Sequence, residues 1–212
     1  MPITNLISQL ESAIRELGPL TTGGPTGASM LVIHGRDDQA VAGAHRSDPA
    51  LAALRTSPVP VLYAPQYVRL SDGPLRLFAP VDFMRGTEPL LRWVHDLAMV
   101  LNAEVILSTV VKPPRAAGER EGLHDDAARA LAVHARNAGF ETDLVGVRVL
   151  ESDKVADAVL TQARLDRCDL IVMASHGKDA IARFFVGSTT ESMLREADRP
   201  VLVLRRAAKG DR

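Results

Sequence analysis

The chain has 212 residues, 46% of them hydrophobic, with 25 Lys and Arg against 26 Asp and Glu. That apolar share can bury a sizeable core in one large or two small domains, while balanced, interspersed charge excludes a broad electrostatic footprint for nucleic acid or an anionic membrane. A single cysteine, Cys168, excludes an intrachain disulfide and a cysteine-cluster metal site, and suits a reducing compartment.

The first segment, MPITNLISQLESAIREL, reads as an amphipathic helix over about residues 5–17. It carries acidic residues, unlike the basic start and apolar centre of a secretory signal, and no apolar run reaches membrane-spanning length. The expectation is a cytoplasmic protein with no membrane or nucleic-acid partner. A Gly/Pro/Thr-rich connector follows, then a strand at 30–33, a polar segment, a short helix at 49–55 and a strand at 59–64.

From about residue 75 onward strand-like and helix-like segments alternate, the pattern of a parallel sheet with helices on its faces. Five strands are predicted, at 75–81, 104–111, 145–149, 170–173 and 201–204. Between them run helical periods: Leu90, Leu91, Val94, Leu97 and Leu101 after Gly86-Thr87, then Ala127, Leu131 and Ala135 ending before Gly139. A third helix carries Val155, Val159 and Ala163 with Ser152 as its N-cap, and a fourth starts near Ser188. Residues 112–122, with Pro113, Pro114 and Gly118, read as a surface loop. The predicted fold class is α/β: a five-stranded parallel open sheet with helices on both faces, Rossmann-like, preceded by a partial copy of the same unit.

That partial copy answers a question raised by SMLVIHGRDDQ (29–39), an apolar run ending in His-Gly-x-x-Asp, which resembles the acid turn of an α/β-hydrolase. No G-x-S-x-G nucleophile elbow occurs in the chain. Instead LVIHGRDDQAV (31–41) lies beside IVMASHGKDAI (171–181), and ALRTSPVPVLY (53–63) beside MLREADRPVLV (193–203). Anchoring on His34 with His176, or on Pro60 with Pro200, gives offsets that differ by two residues. We read 1–74 as a truncated, degenerate half domain, 75–206 as the complete domain and 207–212 as a basic tail.

The segment VMASHGKDAIARFFVGSTTESML (172–194) puts a small-residue loop after a buried strand and Gly-Ser-Thr before a helix. Ligands in open α/β sheets sit at the carboxyl ends of strands, and a helix N-terminus offers unpaired N–H groups to phosphate. Gly187, Ser188 and Thr189 are therefore candidate phosphate ligands, and Gly177 lets backbone approach closely. Gly-Ser before a helix is also simply a good cap. His176 and Lys178 are candidate ligand contacts in the same loop, although Lys178 lacks P-loop order.

Ala174-x-x-Gly177, nine residues, then Gly187-Ser188 resembles the nucleotide loop of the universal stress protein family, and the resemblance covers roughly 75–206. It implies an adenine nucleotide, ATP with or without Mg2+, as the bound cofactor, in a stress-response regulator or sensor. By the same resemblance Pro80, Val81 and Asp82 follow the family's first strand end, where an Asp contacts the nucleoside, and Val110 lies near adenine. Gly177 and Gly187 with Ser188 and Thr189 would embrace the phosphates. Ala174 stands where the family's loop has its first Gly, and its methyl narrows the approach. Members pair through their last strands, which implies a homodimer through terminal strands; within this chain 59–64 is positioned to lie against 201–204 as a built-in partner.

No catalytic residue is assigned: the loop holds no acid/base pair and no nucleophile with a neighbouring base, so at most slow ATP hydrolysis is expected. His34, His45, His95, His124 and His134 lack metal-ligand spacing, and no metal site is assigned. In the N-terminal copy the counterpart of Gly187-Ser188 is His45-Arg46 or Ser47-Asp48, without the Gly, so that half should not bind ATP. The competing readings are a nucleotide-free dimerisation or interaction module and a nucleotide-using α/β enzyme.

Overall fold

The computed structural model describes residues 1–17, 30–35, 49–57, 59–66, 68–83, 87–114, 120–141, 145–175 and 187–205. In chain order its elements are α1 (Ile3–Leu17), β1 (Leu31–His34), α2 (Pro49–Thr56), β2 (Val61–Ala64), β3 (Arg76–Pro80), α3 (Thr87–Leu101), β4 (Glu104–Val111), α4 (Arg120–Asn137), β5 (Val145–Glu151), α5 (Val155–Leu165), β6 (Leu170–Ser175), α6 (Ser188–Glu196) and β7 (Val201–Arg205). The fold is mixed α/β, with seven strands where the sequence predicts five in a sheet, and its strand pairs are mostly parallel. The chain forms two compact units, one of Met1–Asp72 with Ala174–Arg212, the other Gly73–Met173.

In the second unit the strands run β6-β3-β4-β5, all parallel. β3 and β6 are continuous apolar runs because both faces are covered: Leu77, Phe78, Ala79, Leu170, Ile171 and Val172 are all fully buried. Their starts are clipped together by Asp169, whose Oδ2 accepts the Arg76 N–H at 3.0 Å while its own N–H donates to the Arg76 carbonyl at 2.8 Å. α3 buries Leu90, Leu91, Val94, Leu97 and Ala98, an i, i+3/i+4 stripe. Gly139, at φ +100°, closes α4, its N–H reaching Arg136 O at 3.0 Å while Phe140 N–H reaches Ala135 O at 3.0 Å; a left-handed residue after a helix is the usual place for glycine.

Two sequence expectations in this unit need correction. Ser152 is not the N-cap of α5; Lys154 is, and it makes no side-chain cap bond. Ser152 Oγ instead accepts the Lys154 N–H at 2.9 Å, a local serine turn that competes with capping. The loop expected over 112–122 is shorter, because α4 already begins at Arg120 and takes in Gly122.

In the first unit β1 pairs parallel with β2, and β2 pairs antiparallel with β7 through Val61↔Val203, Leu62↔Leu202 and Tyr63↔Val201. The strand expected at 59–64 thus lies against the one expected at 201–204. α1 buries Leu6, Leu10, Ala13 and Ile14 on one face. The Met1 ammonium donates to the carbonyls of Leu70 and Ser71, each at 3.3 Å, and pairs with Asp72 Oδ1 at 3.0 Å.

Candidate functional site

Parallel pairing brings the carboxyl ends of β6, β3, β4 and β5 to one side of the sheet, so register decides which sequence-predicted residues meet there. In the second unit Pro80, the last residue of β3, is in register with Ser108 of β4, and the Val81 N–H extends the pairing to Ser108 O at 2.8 Å. Val110 lies two residues further along β4, half-buried and in register with Leu150 of β5. Pro80, Val81 and Val110 therefore share the carboxyl ends of adjacent strands. Asp82 follows immediately and is exposed, and Phe83 turns the chain with φ 56°.

Further side chains surround this strand end. Ser108 Oγ is fully buried with no hydrogen-bond partner. Phe83 stacks on His134 of α4, ring centroids 5.7 Å apart and planes 26° apart. His134 Nδ1 in turn faces Glu88 Oε1 of α3 at 3.7 Å. Only the position of Phe83 directly after Asp82 could have drawn attention; the pairing with His134 depends on how α4 packs.

In the first unit Ala174 is buried near the end of β6. Gly187 is the N-cap of α6, extended at φ −63° and ψ 149°, and makes no side-chain cap bond. A glycine cap leaves first-turn N–H groups to another acceptor. Ser188 is exposed and Thr189 half-buried in that turn. Glu191, an acid that would oppose an anion there, is paired with Arg195 at 2.8 Å. His176, Gly177 and Lys178 lie outside the described residues, as do His45, Arg46, Ser47 and Asp48.

Among the described residues the perturbed titrating groups, Arg76 and Asp166, lie elsewhere. A cleft of about 780 Å³ at the amino-terminal ends of β3 and β4 is lined by Arg76, Glu104, Ile106, Gly146, Arg148 and Asp166 among others. Burial alone would push the Asp166 carboxyl up, but hydrogen bonds from Arg148 and Gln162 and the charges of Arg148 and Arg76 outweigh it and hold the group below the usual carboxylate range. Arg76 is raised by its hydrogen bond to Glu104. These contacts tie Asp166, just after α5, to Arg76 at the start of β3 and to Arg148 in the middle of β5, a structural role. Among the described residues no group of three or more His, Cys, Asp and Glu could hold a metal ion, and no helix is long and apolar enough to cross a membrane.

A model of the universal stress protein family matches residues 75–205. The match takes in β3 to β7, and the chain belongs to that family. Universal stress protein MJ0577 of Methanocaldococcus jannaschii is 42% identical over 153 aligned residues, 62% of this chain and 94% of that protein. The solved structure of MJ0577 superposes with a TM-score of 0.50 and 24% identity, covering 63% of this chain and 96% of that one. The lower identity comes from residues paired in space, so the superposition bears on fold while the sequence alignment and the family model bear on kinship. A putative universal stress protein from Pseudomonas aeruginosa UCBPP-PA14 superposes with a TM-score of 0.58 at 18% identity, covering 83% of this chain and 63% of that one. Its coverage carries the likeness of fold beyond 75–205, to residues before 75. A universal stress protein solved in complex with cAMP is 19% identical, with a TM-score of 0.49, over 64% of this chain and 100% of that one.

Proposed function

We propose that this universal stress protein binds an adenine nucleotide, ATP in the first instance, and acts as a nucleotide-dependent stress-response regulator in the cytoplasm. The observation that carries the reading is the Val81 N–H to Ser108 O bond. It aligns Pro80, Val81 and Val110 at adjacent strand ends, with exposed Asp82 next in the chain, the arrangement that open α/β sheets use for ligands. Asp82 accepts from a nucleoside hydroxyl in this reading, and backbone near Val110 meets the adenine. The phosphates fall to Gly177, Gly187, Ser188 and Thr189, with His176 and Lys178 as loop contacts and Mg2+ as an accompanying ion. Glycine caps and helix N-termini suit that task. Ala174 favours the second reading, a nucleotide-free interaction module, because its methyl stands where the family's loop has a glycine.

The repeat reading assigns 1–74 as a degenerate half domain without ATP and β2 as a built-in partner for β7. A homodimer through terminal strands then falls to the outer edge of β1, since the β7 edge is used by β2.

Denaturing extraction of freshly purified protein, mass analysis of what is released and ATP titration of the stripped protein test the nucleotide reading. Co-purified adenine nucleotide, or saturable binding lost in Gly177→Val, is expected. Neither would leave the interaction module, and Ala174→Gly would then be the first reversion to measure.

A further inference from the structure

We propose that the cleft at the amino-terminal ends of β3 and β4 is a ligand site in its own right, that it takes a small organic anion, an apolar body bearing one phosphate or carboxylate group, and that Arg167 receives the charge. Every residue lining the cleft belongs to one compact unit. None of them is a candidate nucleotide contact, so the inference stands apart from the nucleotide reading.

The first observation is an arginine where glycine is usual. α5 ends in a Schellman motif: the Cys168 N–H donates to Ala163 O at 2.8 Å, and the Arg167 N–H to Arg164 O at 3.1 Å. The residue after the C-cap Asp166 then takes a left-handed backbone, and Arg167 holds φ 53°. Glycine adopts that conformation freely, whereas a long side chain there is strained. Such an outlier points to a use for the residue beyond the turn itself.

The second observation is a charge left over. Three arginines, Arg76, Arg148 and Arg167, and two acids, Glu104 and Asp166, line the cleft. Both acids are engaged. Glu104 Oε2 accepts from Arg76 Nε at 2.8 Å and from its Nη2 at 2.7 Å, and the Asp166 carboxylate accepts from Arg148 twice and from Gln162. Arg167 is exposed and has no acidic partner among the described residues. One guanidinium, a planar fork of donors that matches phosphate and carboxylate, is therefore available to an anion.

The third observation is the floor. Gly146 of β5 is in register with Ile106 of β4, and a Cβ at 146 would lie 3.1 Å from Ile106 Cγ1. Glycine in a strand interior keeps that surface open to a close approach. Leu165, 69% exposed, adds an apolar wall. A volume of about 780 Å³ suits a small molecule.

Chemical-shift mapping of the full chain tests this, with phenyl phosphate and benzoate as probes and phenol as the neutral control. Saturable shifts are expected at the Gly146 and Ile106 amides and at the Arg167 side-chain N–H with at least one anion, and the tighter of the two gives the ligand's class. Arg167→Gly should bind that anion about tenfold less tightly, the loss of a charge-assisted hydrogen bond, yet melt no lower than wild type, because glycine relieves the left-handed backbone. Arg167→Lys should keep part of the affinity. No saturable binding of either anion overturns the proposal, as does phenol binding equally well or an unchanged affinity in Arg167→Gly. A lowered melt in Arg167→Gly would make Arg167 a structural cation at the helix end and would overturn it too.

Discussion

Leu62 of β2 lies opposite Leu202 of β7 in antiparallel register, both fully buried, and each stands second after the proline of a Pro-Val-Leu triplet. The repeat read from the sequence would equate the same two residues, as the antiparallel register pairs them. Consistently, Val61 meets Val203 and Tyr63 meets Val201 on either side. Leu62→Ala and Leu202→Ala should each cost about 2–4 kcal/mol, and the double variant less than the sum, because paired residues couple. Urea unfolding of the four proteins in a double-mutant cycle measures this; strict additivity would count against direct packing.

If β2 stands in for a partner's strand, removing it bares the edge of β7. A chain lacking residues 1–64 should self-associate in sedimentation velocity, because an unpaired apolar edge is a template for pairing. A soluble, monodisperse monomer would sink the built-in partner idea.

Gly139 closes α4 at φ +100°, and a Cβ placed there would meet His95 at 3.5 Å, an ordinary contact. Gly139→Ala should therefore carry only the backbone penalty, about 1–2 kcal/mol. A thermal melt unchanged by the substitution would show that the helix end relaxes to another conformation.

Asp166 accepts two bonds from Arg148, at 2.9 and 3.1 Å, and one from Gln162 at 3.0 Å. Its carboxyl is held below the usual range, so the stability it contributes is present above the unfolded value near 4 and lost as pH falls through the lower folded value. Asp166→Asn should destabilise by about 1–2 kcal/mol at neutral pH, where charge-assisted bonds are removed. The loss should shrink below about pH 4. Chemical denaturation at neutral pH and near pH 3 separates the two; an equal loss at both would mean that the carboxylate's charge is not what matters.

Much of the candidate site was legible because it is local. Gly187-Ser188-Thr189 opens a helix, so chain order placed it, whereas Asp82 was marked by the resemblance to the family's strand end. Ser152 was misread for a local reason as well: serine before a helix can cap it or bond within its own turn, and spacing does not choose between them. His134 was not legible. A histidine in a polar helix looks the same whether it faces water or an aromatic ring brought from about 50 residues away.

By itself the sequence determined the alternation of strands and helices and the end of α4 at Gly139, since each is written in periodicity or in residues a few positions apart. The resemblance set 59–64 against 201–204, but tertiary structure alone decided the antiparallel direction and register of that pair, that Val81 reaches Ser108 and that Phe83 rests on His134. Strand partners separated by 140 residues, as Leu62 and Leu202 are, are chosen by which faces and edges are left after everything else has packed. No local pattern carries that information.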